Sequence, residues 1–278
     1  MKNIFLKQLM ILSLIIVMAT TTHALLVDTH KAINTYIAQN SLNGFSLDTY
    51  SKSELGLQSG IEEKFKNLML WEWLRDGGEY EDVPYRWMPY LRSVNHFHNP
   101  LTDQGFSGIW GTDFLYGVSA TQWSQWPLGA QTVQVLGSGN YSWYDVRDYY
   151  YNALTLTNKT DRETNFAETF RGLGQLMHLV EDMSVPEHTR DDGHYILYDY
   201  EQWVRDEIKT YSQLSQYALF YFFDSSAIGN PNPLAPVPFA NLFDTNQYDG
   251  TYPNRTLQSN IGLSEYTNTN FFSEGKLC

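Results

Sequence analysis

The stretch DRETNFAETFRGLGQLMHLVEDMSVPEH, Asp161 to His188, decides how this chain folds. Phe166, Phe170, Leu173, Leu176, Met177 and Val180 recur at helical spacing. Asp161 and Glu163 suit the positive end of a helix dipole, and Pro186 cannot continue a helix. The spacing therefore predicts one long helix from near Asp161 to just before Pro186. On it His178 and Asp182 stand at i and i+4, so both side chains leave one face about a turn apart and can reach one ion. Alone, such a pair is more often a surface hydrogen-bonded couple. Here Leu176, Met177, Leu179 and Val180 flank it, and polar groups on a helix that is apolar nearly all round need a reason. A turn at Pro186 would aim His188 back toward the same face, and His194, Asp199 and Glu201 follow.

Working outward, helical patterning dominates. A first helix is expected over Val27 to Gln39 and a second over Gly60 to Arg75, stopped by Gly77-Gly78. Others are expected over Trp143 to Leu156, from Asp199 through the apolar cluster around Phe220, and over Leu257 to Phe272. Segment 229–253, rich in Pro, Asn and Gly, reads as a long surface loop. Strand signals are few. The expectation is an all-α, single multi-helix domain with long irregular loops: residues 1–24 a signal peptide, 25–225 the helical domain, and 226–278 a loop and helix packing on the same domain. The sequence stops at Cys278 without a terminating pattern, which leaves room for a longer natural protein.

The first residues carry Lys2 and Lys7, an apolar run from Leu9 to Ala19, and Thr22-His23-Ala24 as a cleavage site of small-x-small character. The run is too short to span a bilayer. Export by cleavage after Ala24, to the periplasm or outside the cell, would leave Leu25 as the new N-terminus. It would also leave 16 basic against 31 acidic residues, a formal charge of −15 compared with −13 for the whole chain. That sign argues against stable duplex-DNA binding, which relies on an excess of Lys and Arg. Cys278 is the only cysteine, so thiolate zinc sites and Cys-His nucleophiles are excluded.

The six histidines beyond His23 fall in three short segments: His30; His96 and His98 in NHFHNP; and His178, His188 and His194. With imidazoles and carboxylates available and no thiolate, Zn²⁺ is the natural ion. The segments GLGQLMHLVED (Gly172 to Asp182), VPEH (Val185 to His188) and HFHNP (His96 to Pro100) resemble the zinc-dependent phospholipase C and single-strand-specific nuclease superfamily.

That resemblance implies an all-α fold of the zinc-dependent phospholipase C type, with up to three zinc ions in a cleft that cleaves phosphodiesters. It places Asp82, His96, His178 and Asp182 on a first zinc, with Asp182 bridging to a second held by the Leu25 amine and carbonyl and by His30. His188 would anchor a third. For its remaining ligands the chain departs from the family pattern: Leu197 stands four residues before Glu201, where a His is expected, so His194, Asp199 and Glu201 all remain candidates.

The activity so implied is that of an exported zinc-dependent phosphodiester hydrolase, phospholipase C-like. Asp82 would act on a metal-activated water that attacks phosphorus in line. The HFHNP segment and Glu201 lean toward a phospholipid substrate with transient membrane-surface contact. The five-residue spacing from Leu25 to His30 leans toward single-stranded nucleic acid. A non-catalytic zinc-binding exported protein is the reading from a different class.

Overall fold

The computed structural model describes residues 27–42, 44–82, 90–108, 116–135, 138–192, 201, 204, 206, 238–251 and 260–273. The expected signal segment, Leu25, His194, Asp199 and most of the helix expected after Asp199 lie outside them. Among the described residues the chain is mostly helical, with one short hairpin. No described helix is long and apolar enough to cross a membrane.

Helix α1 runs Val27–Gln39 and α2 Leu47–Ser53. The segment expected to form a helix from Gly60 behaves otherwise. It opens with a 3-10 turn, Gly60–Glu62, and a hairpin of β1 (Lys64–Phe65) and β2 (Leu68–Met69), in which Phe65 pairs with Leu68. Helix α3 then runs Leu70–Asp82, straight through Gly77-Gly78. The glycines that read as a stop are contact points instead. A Cβ on Gly77 would lie 2.2 Å from the Arg171 carbonyl oxygen, and one on Gly78 would lie 2.7 Å from Asn34 Nδ2 and 3.2 Å from His30 Cβ. Two interior glycines cost a helix about 1 kcal/mol each in propensity, and here Gly77 lets α8 approach α3 backbone to backbone while Gly78 makes room for the side chains of His30 and Asn34.

After α4 (Tyr90–Ser93), the region left open by the sequence holds two short helices, α5 (Ala120–Ser124) and α6 (Gln131–Gln134). Helix α7 (Trp143–Thr155) starts at a capping box of Ser142 and Asp145. Helix α8 covers Lys159–Asp182, and the Asn158 side chain accepts from the Thr160 and Asp161 amides at its start.

Helix α8 is the axis of the fold, packing against α3 and α7 along its length. Its N-terminal half supplies Phe166, Ala167 and Phe170 to a core with Phe65, Leu70, Trp73 and Ala153. Its C-terminal half supplies Leu179, and the following turn Met183, to a second core with Ala120, Trp123, Val135 and Phe243. Gly174 meets α3 from the other side, since a Cβ there would lie 2.1 Å from the Leu74 carbonyl oxygen. Asn34 Nδ2 donates to the Leu74 and Gly174 carbonyls at 3.2 and 3.4 Å, tying α1 to both helices.

The C-terminal part packs on the same body. A 3-10 turn at Phe239–Leu242 stacks Phe239 on Trp143, and helix α9 (Leu263–Asn270) is anchored by the Ser264 amide donating to the Phe243 carbonyl and by Asn268 Nδ2 donating to the Thr189 carbonyl.

Candidate metal centre

Helices α3 and α8 both end on a Glu-Asp pair, Glu81-Asp82 and Glu181-Asp182. Because the two helices touch at Gly77 and Gly174, these ends come together in the interior, and α1 brings His30 alongside. His30, Asp82, His96, His178, Asp182 and His188 are all buried.

Asp82, His96 and His178 face one point, and Asp182 stands beside the two rings. His178 Nε2 lies 3.2 Å from Asp182 Oδ2 and 3.3 Å from His96 Nδ1, and His96 Nδ1 lies 2.9 Å from Asp182 Oδ2. Asp82 Oδ1 stands 3.7 Å from each of the same two ring nitrogens. On the far side of Asp182, His30 Nε2 lies 3.3 Å from Oδ1, and the His30 ring stacks on His178 with centroids 3.6 Å apart. The ligand atoms thus form two overlapping groups able to hold a metal ion: Asp82, His96 and His178; and His30, His178 and Asp182.

Hydrogen bonding separates the two nitrogens of each ring. His178 Nδ1 is 2.7 Å from the Gly78 carbonyl oxygen, and His30 Nδ1 is 2.6 Å from Glu181 Oε2. Each contact suits an N–H on that nitrogen, so in the neutral ring Nε2 carries the lone pair. His30 Nε2 and both oxygens of Asp182 are buried and make no hydrogen bond of acceptable geometry. Such groups are costly in a protein interior unless something else satisfies them. Close, buried and lacking hydrogen bonds, they suit a shared cation.

Electrostatics agree. Burial alone would push the His178 pKa down, but the carboxylates of Asp182 and Asp82 outweigh it and raise it to about 10. His30 and His96 are also raised against burial, both by Asp182, His30 further by Glu181 and His96 by Glu81. Burial would raise the Asp182 pKa, yet the imidazoles of His178, His188 and His30 hold it well below the usual range. The nest of carboxylates favours positive charge on its imidazoles.

His188 sits where the turn after α8 was expected to place it. Val185 and His188 amides donate back to Asp182 and Val185 carbonyls across Pro186. Its Nδ1 lies 3.0 Å from the His96 carbonyl oxygen and 3.8 Å from Asp182 Oδ2, and its ring stacks on Phe97. No further group of ligand atoms forms around His188 among the described residues. Glu201 is buried, and His194 lies outside the described residues.

Several neighbours were not singled out in the sequence. Glu81 accepts from Arg92 Nη2 and Gln175 Nε2, each at 2.7 Å, and from Trp123 Nε1 at 2.9 Å, with His96 Nε2 at 3.7 Å. Burial would raise its pKa, but Arg92 holds Glu81 ionised far below the carboxylate range. The repeated Glu-Asp dipeptide was the available signal.

A third set of ligand-type atoms, from His98, Asp103 and Asp244, also converges. There His98 Nδ1 is 2.7 Å from Ser119 Oγ and Nε2 is 2.7 Å from Asp244 Oδ2, while Asp244 Oδ1 accepts from the Asn246 amide. Both ring nitrogens are already engaged, and the set reads as a structural tie between three segments. No family model matches the chain, and comparison with curated proteins and with solved structures yields no match.

Proposed function

We propose that the chain is an exported zinc-dependent phosphodiester hydrolase of the phospholipase C-like type. One observation carries the reading. Tetrahedral Zn²⁺ with bonds of about 2.0–2.1 Å to nitrogen and oxygen needs ligand atoms roughly 3.3 Å apart. Among Asp82 Oδ1, His96 Nδ1, His178 Nε2 and Asp182 Oδ2, five of the six pairs lie at 2.9, 3.2, 3.3, 3.7 and 3.7 Å, and Asp82, His96 and His178 form one group of ligand atoms. Two imidazoles and two carboxylates, with no thiolate, are a donor set that zinc accepts.

In this reading Asp82, His96, His178 and Asp182 would hold one ion, and Asp182 with His30 would contribute to a second, with the Leu25 amine as the expected further ligand. Bound zinc would supply Lewis acidity, stabilising charge on phosphoryl oxygens and lowering the pKa of a water molecule. The chain's own groups do the rest. Asp182 turns Oδ2 toward His96 and His178 and Oδ1 toward His30, so its carboxylate would contribute to both ions. Asp82, whose carboxylate stands farther from the ring nitrogens than that of Asp182, is the group assigned to orient the attacking water and accept its proton. The stacked His30 and His178 rings and the buried helix ends keep bulk water from the donors.

The test is metal content per chain of the purified exported protein together with hydrolysis of a chromogenic phosphodiester, phosphatidylcholine and single-stranded DNA, each with and without chelator. Zinc in the protein and chelator-sensitive release from phosphatidylcholine are expected. Release from single-stranded DNA instead would move the substrate to nucleic acid. Zinc without turnover on any of the three would overturn catalysis and leave a metal-binding protein. Within this scheme Asp82→Asn should cost turnover about 100-fold or more and cost far less in zinc content; equal loss of both would remove the base role.

A further inference from the structure

Each aspartate at the centre is preceded by a glutamate, and each glutamate addresses the outward nitrogen of a histidine contributed by another segment. Glu181 Oε2 lies 2.6 Å from His30 Nδ1, across 151 residues of sequence. Glu81 Oε1 lies 3.7 Å from His96 Nε2. His178 and His188 have their Nδ1 atoms at backbone carbonyls. So His30 is the ring whose orientation rests on a hydrogen bond to a side-chain carboxylate.

We infer that Glu181 is a positioning residue for His30: its carboxylate accepts the Nδ1 proton, fixes the tautomer with the lone pair on Nε2, and aims that atom at the Asp182 side of the centre. This rests on the metal reading given above and adds a residue that touches no ion itself. The physical case has three parts. A histidine ligand must present one lone pair in one direction, and an acceptor on the opposite nitrogen both selects the tautomer and raises the basicity of the donor atom. His30 Nε2 is fully buried, lies 3.3 Å from Asp182 Oδ1 and makes no hydrogen bond, so it is the atom turned toward the ligand. And His30 is the hydrogen-bond partner that the Glu181 carboxylate has among the described residues, its other oxygen making no bond.

The difference between the two glutamates is informative. Glu81 is held by three other donors and carries the Arg92 charge, so its removal would disturb packing. Glu181 keeps a side-chain exposure of 12 % and its carboxylate bonds His30 alone among the described residues, so its removal disturbs fewer contacts.

The experiment titrates Co²⁺ into chelator-treated, full exported chain and records affinity and the visible absorption of each bound equivalent, for wild type, Glu181→Ala and Glu181→Gln. Glutamine keeps an acceptor oxygen and loses the charge. The expected result is two equivalents in wild type, one of them weakened about 10–100-fold in Glu181→Ala with an altered spectrum, and recovery of most of that loss in Glu181→Gln. Wild-type uptake with an unchanged Glu181→Ala titration and spectrum would overturn the positioning role alone. Glutamine as poor as alanine would overturn it too, by assigning the effect to charge rather than to the hydrogen bond. A wild-type chain that takes up no cobalt would overturn the metal reading itself.

Discussion

His96 and His98 are two residues apart, both buried, and both beside carboxylates, yet they do opposite things. His98 spends both ring nitrogens, on Ser119 and Asp244, and its carboxylate partner is satisfied again by a backbone amide. His96 faces Asp182, whose two oxygens have imidazole nitrogens within 3.3 Å and no proper hydrogen bond. Proximity of histidine to aspartate therefore says little; the state of satisfaction distinguishes a structural tie from a ligand nest. The NHFHNP segment thus sends its two imidazoles into two different environments.

The largest effect that would break this contrast is chelation. If the His96 side holds metal and the His98 side does not, stripping metal removes ligand-linked stability, about 4 kcal/mol when free metal exceeds its Kd a thousandfold. For a domain of this size that corresponds to a fall in Tm of roughly 10 °C, measurable by calorimetry; an unchanged Tm would erase the distinction. Next, Asp182→Asn removes the charge of the carboxylate that faces His30 with one oxygen and His96 and His178 with the other, and should weaken metal binding by more than about 100-fold in an equilibrium titration. Asp244→Ala should do the reverse, lowering stability by about 1–3 kcal/mol through the orphaned His98 while metal content per chain stays at the wild-type value.

The gentlest test is pH. In chelator-treated protein, His178 has a folded pKa raised from 6.5 to about 10, so its contribution is full below about 6.5 and is lost as pH rises through about 10. Asp182 is depressed below its ordinary 3.8, so its contribution is present above that value and is lost as pH falls through its folded pKa. Stability from this cluster should peak between about pH 4 and 6.5 and decline on the alkaline side by no more than about 1.4 kcal/mol per unit for one proton. Metal-replete protein should show the opposite alkaline trend, because ligands must lose protons to bind. Denaturant midpoints at several pH values would show both slopes.

Much of this was legible because the determinants are local. His178 and Asp182 share a face by helical period, and Pro186 forces the turn that returns His188. The first helix, Val27–Gln39, follows its apolar spacing. What escaped the sequence depends on partners distant along the chain. Gly77-Gly78 signals a helix end when only neighbours are considered, and becomes a helix interior once Arg171 and Asn34 press against it. Phe65 and Leu68 fit a helical face as well as a tight hairpin, and the hairpin wins because Phe65 stacks on Phe166. Glu181 could not be assigned to His30 without knowing how α1 crosses α8.

The contact of α3 with α8 has a last consequence. Gly77 and Gly174 meet through main chain alone, and main chain has no rotamers to exchange. The gauge between the two acid-bearing helix ends is therefore stiff, set five residues from Asp82 and eight from Asp182 by atoms that cannot swing aside. A single methyl at either glycine would act as a shim, prising the jaws apart and changing the size of any ion that could fit between them.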